Sequence, residues 1–287
     1  TINSTTPDMQ YMVNIHDDTD PLNIREGNAG LKNSYRHSWS FFYHKLKKVD
    51  HRIRGNISFT HNAIAMGYNY DTSTGVRTYR AYNIDGNWNA DVGYEMDYDI
   101  DKKKYVHLSS ITRISHMQNV DLIGINSEGM RRSNVRTEGI NETIKLNCRI
   151  GKQHIGAKFD GKWRYVHSTR QDFNNMNIWD FNYGLTGNFS LLPKLQLSTD
   201  ITMYSRRGYS EPSLNTNDLV WNARISYTMM KGNMVLMLDG FDILGNLSNI
   251  TSSLNGQGRT EIRRNVLPQY VLFHIQYKLN IRPKNKR

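Results

Sequence analysis

The sequence predicts an all-β protein whose strands form an antiparallel transmembrane β-barrel. Apolar and polar residues alternate with a period of two over most of the chain, which is the pattern of strands with one apolar face. Hydrophobic residues make up only 38% of the 287 residues, yet 11% are aromatic. A barrel explains this combination, because its strands place apolar side chains on one face and polar side chains in a wet interior.

The clearest strand begins at Trp88. Because successive side chains of a strand point to opposite faces, it presents one apolar and one strongly acidic face. The apolar face carries Trp88, Ala90, Val92, Tyr94, Met96, Tyr98 and Ile100, and the other carries Asn87, Asn89, Asp91, Gly93, Glu95, Asp97 and Asp99. The same alternation recurs in 155–165, 179–191, 195–203, 221–229 and 271–279.

About eleven such strands can be counted from the alternation. They cover 34–47, 51–70, 76–100, 104–125, 134–150, 154–168, 178–192, 195–207, 219–230, 233–241 and 261–281. We therefore divide the chain into a loop leading into the barrel (1–33), transmembrane strands (34–281) and a basic tail (282–287). An antiparallel bacterial barrel closes with an even number of strands. The odd count and the polar Thr1–Asp8 segment, which is no signal peptide, predict further strands upstream.

Short and long connections between strands alternate along the chain. Tight turns are predicted at 99–103, 150–154, 191–194 and 230–233, and longer polar links at 126–134, 168–177, 208–218 and 243–262. Short turns at one end and long loops at the other are typical of outer-membrane barrels. A soluble β-sandwich also produces alternation, but its strands average about 5–6 residues. The longer strands, with Trp and Tyr toward their ends, favour the barrel.

Composition and charge argue against other classes. No stretch approaches the ~18 apolar residues of a spanning helix. The net charge is +11, but the basic residues are spread along the chain, and the main cluster is the tail with Arg282, Lys284, Lys286 and Arg287. This distribution does not predict a nucleic-acid partner. The one cysteine, Cys148, excludes an internal disulfide and is expected to be a small apolar filler.

No catalytic, cofactor or metal site is predicted. The sequence has no HExxH, G-x-S-x-G or P-loop motif, and its ten His lack ligand spacing. Acid pairs such as Asp97 and Asp99 share the inward face and are interpreted as solvated charge on a barrel wall. Arg131, Arg132 and Arg136 lie by a predicted outer loop and could attract anionic substrates, but contact with anionic surface lipid or simple solubility is the preferred interpretation. Substrate-binding residues stay unassigned, and the protein is expected not to be an enzyme.

Several segments resemble the barrels of TonB-dependent outer-membrane receptors, and within them SusC-like nutrient-uptake receptors. The first is Asp20–Asn28, followed by Leu31 and a strand with Tyr35. The others, near the C-terminus, are Asn222–Tyr227, Lys231–Gly232, Asp239–Leu244, Gly258–Glu261, Asn265–Tyr270 and Tyr277–Asn280. The chain departs from the family pattern at Ala29–Gly30 and Lys32–Asn33, and it ends in a basic tail instead of a terminal aromatic residue.

The resemblance covers nearly the whole chain, as the C-terminal half of a barrel of ~22 strands. It implies a transporter for a glycan, peptide or metal chelate in the outer membrane of a Gram-negative bacterium, without a cofactor. The implied partners are outer-membrane lipid, the N-terminal barrel half and plug domain, TonB and a surface lipoprotein. Two alternatives stay open, a passive porin or adhesin barrel and a soluble β-sandwich that binds a ligand.

Overall fold

The computed structural model of the chain describes residues 1–126, 129–170, 173–246, 250–255, 258–263, 267 and 269–279. The predicted basic tail 282–287 lies outside the described residues. The strands are β1 (Ile2–Thr5), β2 (His16–Asp17), β3 (Asn23–Glu26), β4 (Ser34–Leu46), β5 (Val49–His61), β6 (Ala63–Tyr70), β7 (Arg77–Ile84), β8 (Asn87–Asp99), β9 (Val106–Ile125), β10 (Met130–Ile150), β11 (Gln153–Ser168), β12 (Met176–Leu192), β13 (Leu195–Arg207), β14 (Asn217–Met229), β15 (Met234–Phe241), β16 (Ile250–Asn255), β17 (Gly258–Arg263) and β18 (Tyr270–Tyr277).

One large sheet contains all of these strands except β16 and β17, which form a hairpin of their own. Its main path runs β1-β4-β5-β8-β9-β10-β11-β12-β13-β14-β15-β18, and every neighbouring pair on this path is antiparallel. The eleven predicted strands correspond to the eleven strands of the path from β4 onward. Within the described residues the sheet is not closed, since β1–β4 and β18 form its two edges.

Helical structure is sparse among the described residues. One helical turn, α1 (Met9–Met12), begins after Asp8, whose carboxylate accepts a hydrogen bond from the Gln10 N–H at 3.1 Å. Short 3-10 turns occupy Pro212–Leu214 and Met230–Gly232. In the part of the chain that the structure describes, no helix is long and apolar enough to cross a membrane.

The predicted strands 51–70 and 76–100 are each broken, which corrects the sequence-based prediction. Together they form one long hairpin that bends at Asn62 on one side and at Asp85–Gly86 on the other. Asn62 has φ 51° and Gly86 has φ 108°, and the Asn62 N–H donates to the Asp85 carboxylate at 2.8 Å. Above the bend, the β6–β7 hairpin turns away from β5 and β8.

Beyond its bend, the β6–β7 hairpin pairs with two new neighbours. Strand β6 lies parallel to the end of β9, with Tyr68 opposite Ile123, and β7 lies parallel to β3, with Asn23 opposite Arg77. The region 1–33 was predicted as a loop leading into the barrel, but it contributes two strands to the sheet. Strand β3 joins β6 and β7 in a small lobe beside the end of β9, and β1 pairs with the edge of β4. A small buried cluster under the lobe contains Ala63, Ile84 and Val120.

Turns and loops segregate to opposite ends of the sheet, as predicted. Connections of two to six residues join β4 to β5, β8 to β9, β10 to β11, β12 to β13 and β14 to β15. We call this the turn end, and the opposite end the loop end. Strand β9 ends at Ile125, where its end was predicted, but the predicted link 126–134 is too long, because β10 already begins at Met130.

The C-terminal prediction also needs correction. The polar link 243–262 contains β16 and most of β17, and the single strand predicted over 261–281 is divided between the last residues of β17 and β18. Proline has no N–H to donate to a strand ladder, and Pro268 lies in the sequence between these two strands.

Candidate functional site

The strand registers place the predicted apolar residues side by side on one face of the sheet. Ala157, Leu185, Ile201 and Trp221 form one row across four neighbouring strands. Leu185 is 57% exposed and Trp221 38% exposed, so this face is apolar and uncovered. Such a surface suits lipid, and we call it the outer face; the opposite, polar face is the inner wall.

Aromatic side chains gather at the loop end of the outer face. Phe59 stacks on Trp88 with ring centroids 6.0 Å apart, and Trp88 stacks on His116 at 4.4 Å. On the next strands, the Trp163 and Trp179 ring centroids lie 6.1 Å apart. Amphipathic aromatic rings are typical of the membrane–water boundary of outer-membrane barrels.

Glu142 is an exception on the outer face, where Ile140 and Ile144 flank it along β10. Its carboxylate accepts hydrogen bonds from the Ser110 hydroxyl at 2.8 Å and the Thr112 hydroxyl at 2.5 Å. A polar group in an apolar environment is costly unless it is hydrogen-bonded. The two hydroxyl groups on β9 therefore explain how this carboxylate is tolerated there.

The inner wall forms a groove of 770 Å³ across β10 to β14, which we call the inner groove. Lys162, Asp180 and Arg206 stand opposite one another in one row of the register, so that bases flank an acid. The adjacent row contains Asp160, Asn182, Tyr204 and Asp218. This arrangement of acids, bases, an amide and a tyrosine can bind a polar ligand through many directional contacts.

Asp180 is the centre of the hydrogen bonding in the inner groove. The Tyr209 hydroxyl donates to the Asp180 carboxylate, with distances of 2.8 and 3.0 Å to its two oxygens. The Arg164 Nη2 atom lies 3.8 Å from Asp180 Oδ2. Tyr209 comes from the loop 208–216, so a loop residue reaches into the wall formed by the strands.

The loop that carries Tyr209 is held by its own hydrogen bonds. The Tyr209 N–H donates to the Asn215 side-chain oxygen at 3.0 Å, and the Asn215 amide donates back to the Tyr209 carbonyl at 2.9 Å. The Tyr209 ring packs against a buried apolar cluster of Val135, Val166, Met176 and Ile178. Tyr209 is therefore positioned from both sides before any ligand binds.

Burial, followed by the hydrogen bond to Asp180, raises the pKa of Tyr209 to about 12. A raised pKa stabilises the fold fully below the ordinary tyrosine value of 10.0, and this contribution is lost as the pH rises toward 12. We expect the Tyr209→Phe variant to lose one late tyrosinate transition in an absorbance titration at alkaline pH. An unchanged titration curve would contradict this assignment, and Tyr227→Phe on the outer face serves as a control for the method.

Two further groups of charges occupy the inner wall. Asp239, only 3% exposed, pairs with Arg224 on β14, and His274 Nε2 on β18 lies 2.9 Å from its Oδ2 atom. At the turn end, Arg52 lies within 3.6 Å of Asp50, Glu95 and Asp97. Asp97 and Asp99, predicted to be solvated charges, both lie near His107 and belong to this ionic network.

The three arginines singled out in the sequence do not act together. Arg136 lies apart from the others, and its Nε donates to the Gln118 side chain at 2.9 Å. Arg131 and Arg132 line a separate concavity at the loop end. The sequence analysis did not predict the inner groove. To find it, one would have to know which inward-facing residues of β10 to β14 stand side by side and that Tyr209 reaches them from a loop.

Among the described residues, no group of three or more His, Cys, Asp or Glu side chains is arranged to hold a metal ion. Residues 3–277 match the model of a family described as the outer membrane protein beta-barrel family. The chain belongs to the outer membrane protein β-barrel family. Such a barrel lies in the outer membrane of Gram-negative bacteria. Searches of curated proteins and of solved structures gave no match.

Membership of the outer membrane β-barrel family decides between the predicted architectures. The soluble β-sandwich is excluded, in agreement with the uncovered apolar outer face. The apolar side chains of this barrel contact lipid, and its inner wall, with the inner groove, faces the lumen.

Proposed function

We propose that this outer-membrane barrel is the strand domain of a transporter that imports a nutrient, of the TonB-dependent receptor type. The observation that carries the proposal is the inner groove, where Asp180 and its basic neighbours form a polar binding surface on the lumen wall. The lumen wall of a passive pore requires only charged side chains that are solvated by water. Here Tyr209 is pre-positioned on Asp180, as expected of a site that binds a ligand.

The substrate classes that fit are a glycan, a peptide or a metal chelate. Each has several hydrogen-bonding groups, and the groove offers carboxylates, guanidinium groups, two amides and two tyrosines. No catalytic role is part of the proposal, because the groove can bind and orient a polar ligand without a nucleophile.

The two edges of the sheet support the proposal that the complete barrel contains further strands. One edge of β4 pairs with β5, and the other edge pairs with β1 only from Ser34 to His37. Within the described residues no strand pairs with the rest of this second edge or with the far side of β18. Unpaired backbone groups are not viable in hydrocarbon. We therefore propose that further barrel strands cover both edges, together with a plug domain, TonB and a surface lipoprotein as partners of the assembled receptor.

The test is an uptake assay in the natural host, comparing a deletion strain with strains that carry the wild-type gene or the Asp180→Ala variant. Labelled oligosaccharides, peptides and iron chelates are supplied separately. We expect saturable uptake of one class, loss of that uptake with an uncoupler of the proton gradient, and a rise in the half-saturation concentration in Asp180→Ala.

Non-saturable uptake that ignores the uncoupler would replace the proposal with a passive porin. Equal uptake by the deletion and wild-type strains would favour an adhesin. Lys158→Ala, a charge change on the same inner wall but outside the inner groove, is the matched control.

A further inference from the structure

A second concavity, of 450 Å³, lies at the loop end between the β6–β7 hairpin and the ends of β9 and β10. We call it the arginine cleft. It is lined by Tyr68, Tyr70, Arg77, Ile123, Ile125, Arg131, Arg132, Ser133, Thr169 and Arg170. Of these described lining residues, four are arginines and none is acidic. Asp121, which stands opposite Ser133 on β9, is the neighbouring acid and interacts electrostatically with Arg170. The inner groove, by contrast, mixes Asp160, Asp180 and Asp218 with its bases.

The walls of the arginine cleft are tied to each other. Asn126, at the end of β9, donates its N–H to the Tyr70 carbonyl at 2.8 Å, and its side-chain oxygen accepts from the Thr72 N–H at 2.8 Å. The turn after Tyr70 is closed by Asp71, which accepts from the Ser73 N–H and hydroxyl at 2.8 and 2.6 Å. These hydrogen bonds lower the pKa of Asp71 to about 2, so its bonding persists across the physiological range.

Several guanidinium groups are also held in place. Arg77 lies over the Tyr70 ring, 5.7 Å from its centroid, and Arg170 lies over Phe173 at 5.6 Å. Arg132 donates to the Asp85 carbonyl. A guanidinium has five N–H donors, and a cation–π contact occupies none of them. Arg77 therefore keeps donor capacity toward the cleft. Arg132 stands opposite Leu122, whereas Arg131 stands opposite Ile123, so the Arg132 side chain points to the other face of β10 and only its backbone lies beside the cleft.

We propose that the arginine cleft is a binding site for a polyvalent oxyanion of the phosphate type. Guanidinium groups match phosphate oxygens in a bidentate geometry, and several of them around one concavity recognise more than one negative charge. A volume of 450 Å³ falls in the range of small-ligand sites, and Tyr68, Ile123 and Ile125 provide walls for the part that carries the phosphate.

The source of the phosphate is either the headgroup of a phosphorylated outer-leaflet lipid or a soluble phosphorylated compound. Both reach the loop end, where the long connections of an outer-membrane barrel face the medium. The site goes beyond the proposed transport function, and it can exist in a barrel that transports nothing.

The first experiment titrates sodium pyrophosphate into the purified full chain in neutral detergent by calorimetry at low salt. We expect saturable binding that weakens as sodium chloride is added, because salt screens charge pairs near a surface. Arg77→Gln and Arg131→Gln should each raise the Kd about tenfold, the loss expected for one charge-assisted contact. Arg136→Gln, the same charge change outside the arginine cleft, should leave the Kd unchanged.

Absence of saturable pyrophosphate binding would overturn the proposal, and so would an equal loss of affinity in Arg136→Gln. Two cleft variants are used so that a folding defect in one does not decide the result, and each is checked by its urea unfolding midpoint. Competition by vesicles containing phosphorylated lipid A, but not by dephosphorylated lipid A, would identify the lipid as the source. Pyrophosphate binding without such competition would identify a soluble ligand.

Discussion

Replacing Leu185 by arginine is expected to lower the free energy of unfolding of the barrel by about 2–4 kcal/mol, the cost of a cation at the lipid-facing midplane. Leu185 is 57% exposed on the outer face and stands between Ala157 and Ile201, near the middle of its strand. A long cation there cannot reach water without distorting the bilayer.

The matched control for Leu185→Arg is Thr186→Arg, one residue further along β12. Because strand side chains alternate, Thr186 faces the lumen, where it stands opposite Asp200. We expect this variant to change stability by less than about 0.5 kcal/mol. The measurement is a urea titration of protein refolded into lipid vesicles. Equal losses in the two variants would show that the faces have been assigned wrongly.

Breaking the Arg224–Asp239 ion pair is expected to cause the second large loss in the free energy of unfolding. Asp239 is almost fully buried, whereas Arg224 is about half exposed. Arg224→Met leaves the carboxylate with His274 as its remaining ionic neighbour, at 2.9 Å. We expect a loss of about 1.5–3 kcal/mol, the usual value of a hydrogen bond to a charged group, because one partner keeps contact with solvent.

A double-mutant cycle separates pairing from packing. Asp239→Leu combined with Arg224→Met removes both charges, so the double variant should be more stable than the sum of the single effects predicts. Additive losses would mean that the two side chains do not interact in the folded barrel. Lys158→Met, which removes a cation elsewhere on the inner wall, is the control and should stay within about 0.5 kcal/mol.

The regular strands could be predicted because alternation is a local property. Strand β13 was predicted at 195–207 and occupies those residues. The bend between β5 and β6 was missed, since it depends on the hydrogen bond from Asn62 to Asp85, 23 residues away. Alternation continues through both sides of such a bend and gives no signal of it.

The inner groove and the arginine cleft could not be predicted from the sequence, because each depends on contacts between residues that are far apart in the chain. The inner groove needs the register between β10 and β14 and the insertion of Tyr209, and a single strand reveals neither. The arginine cleft needs the parallel pairing of β6 with β9. Arg131 and Arg132 were recognised as basic residues near a loop, but Arg77 lies 54 positions before Arg131 in the chain, and only the folded hairpin brings it beside them.

The lengths of β9 and β10 determine how much of the protein stands above the membrane surface. These strands have 20 and 21 residues, whereas about 9–11 residues cross the hydrocarbon of a bilayer. Roughly half of each strand therefore extends beyond the lipid at the loop end, as a paired ribbon braced by the β6–β7 hairpin. We therefore expect this paired ribbon to stand above the lipid surface on the outer side of the cell, where external macromolecules can contact it.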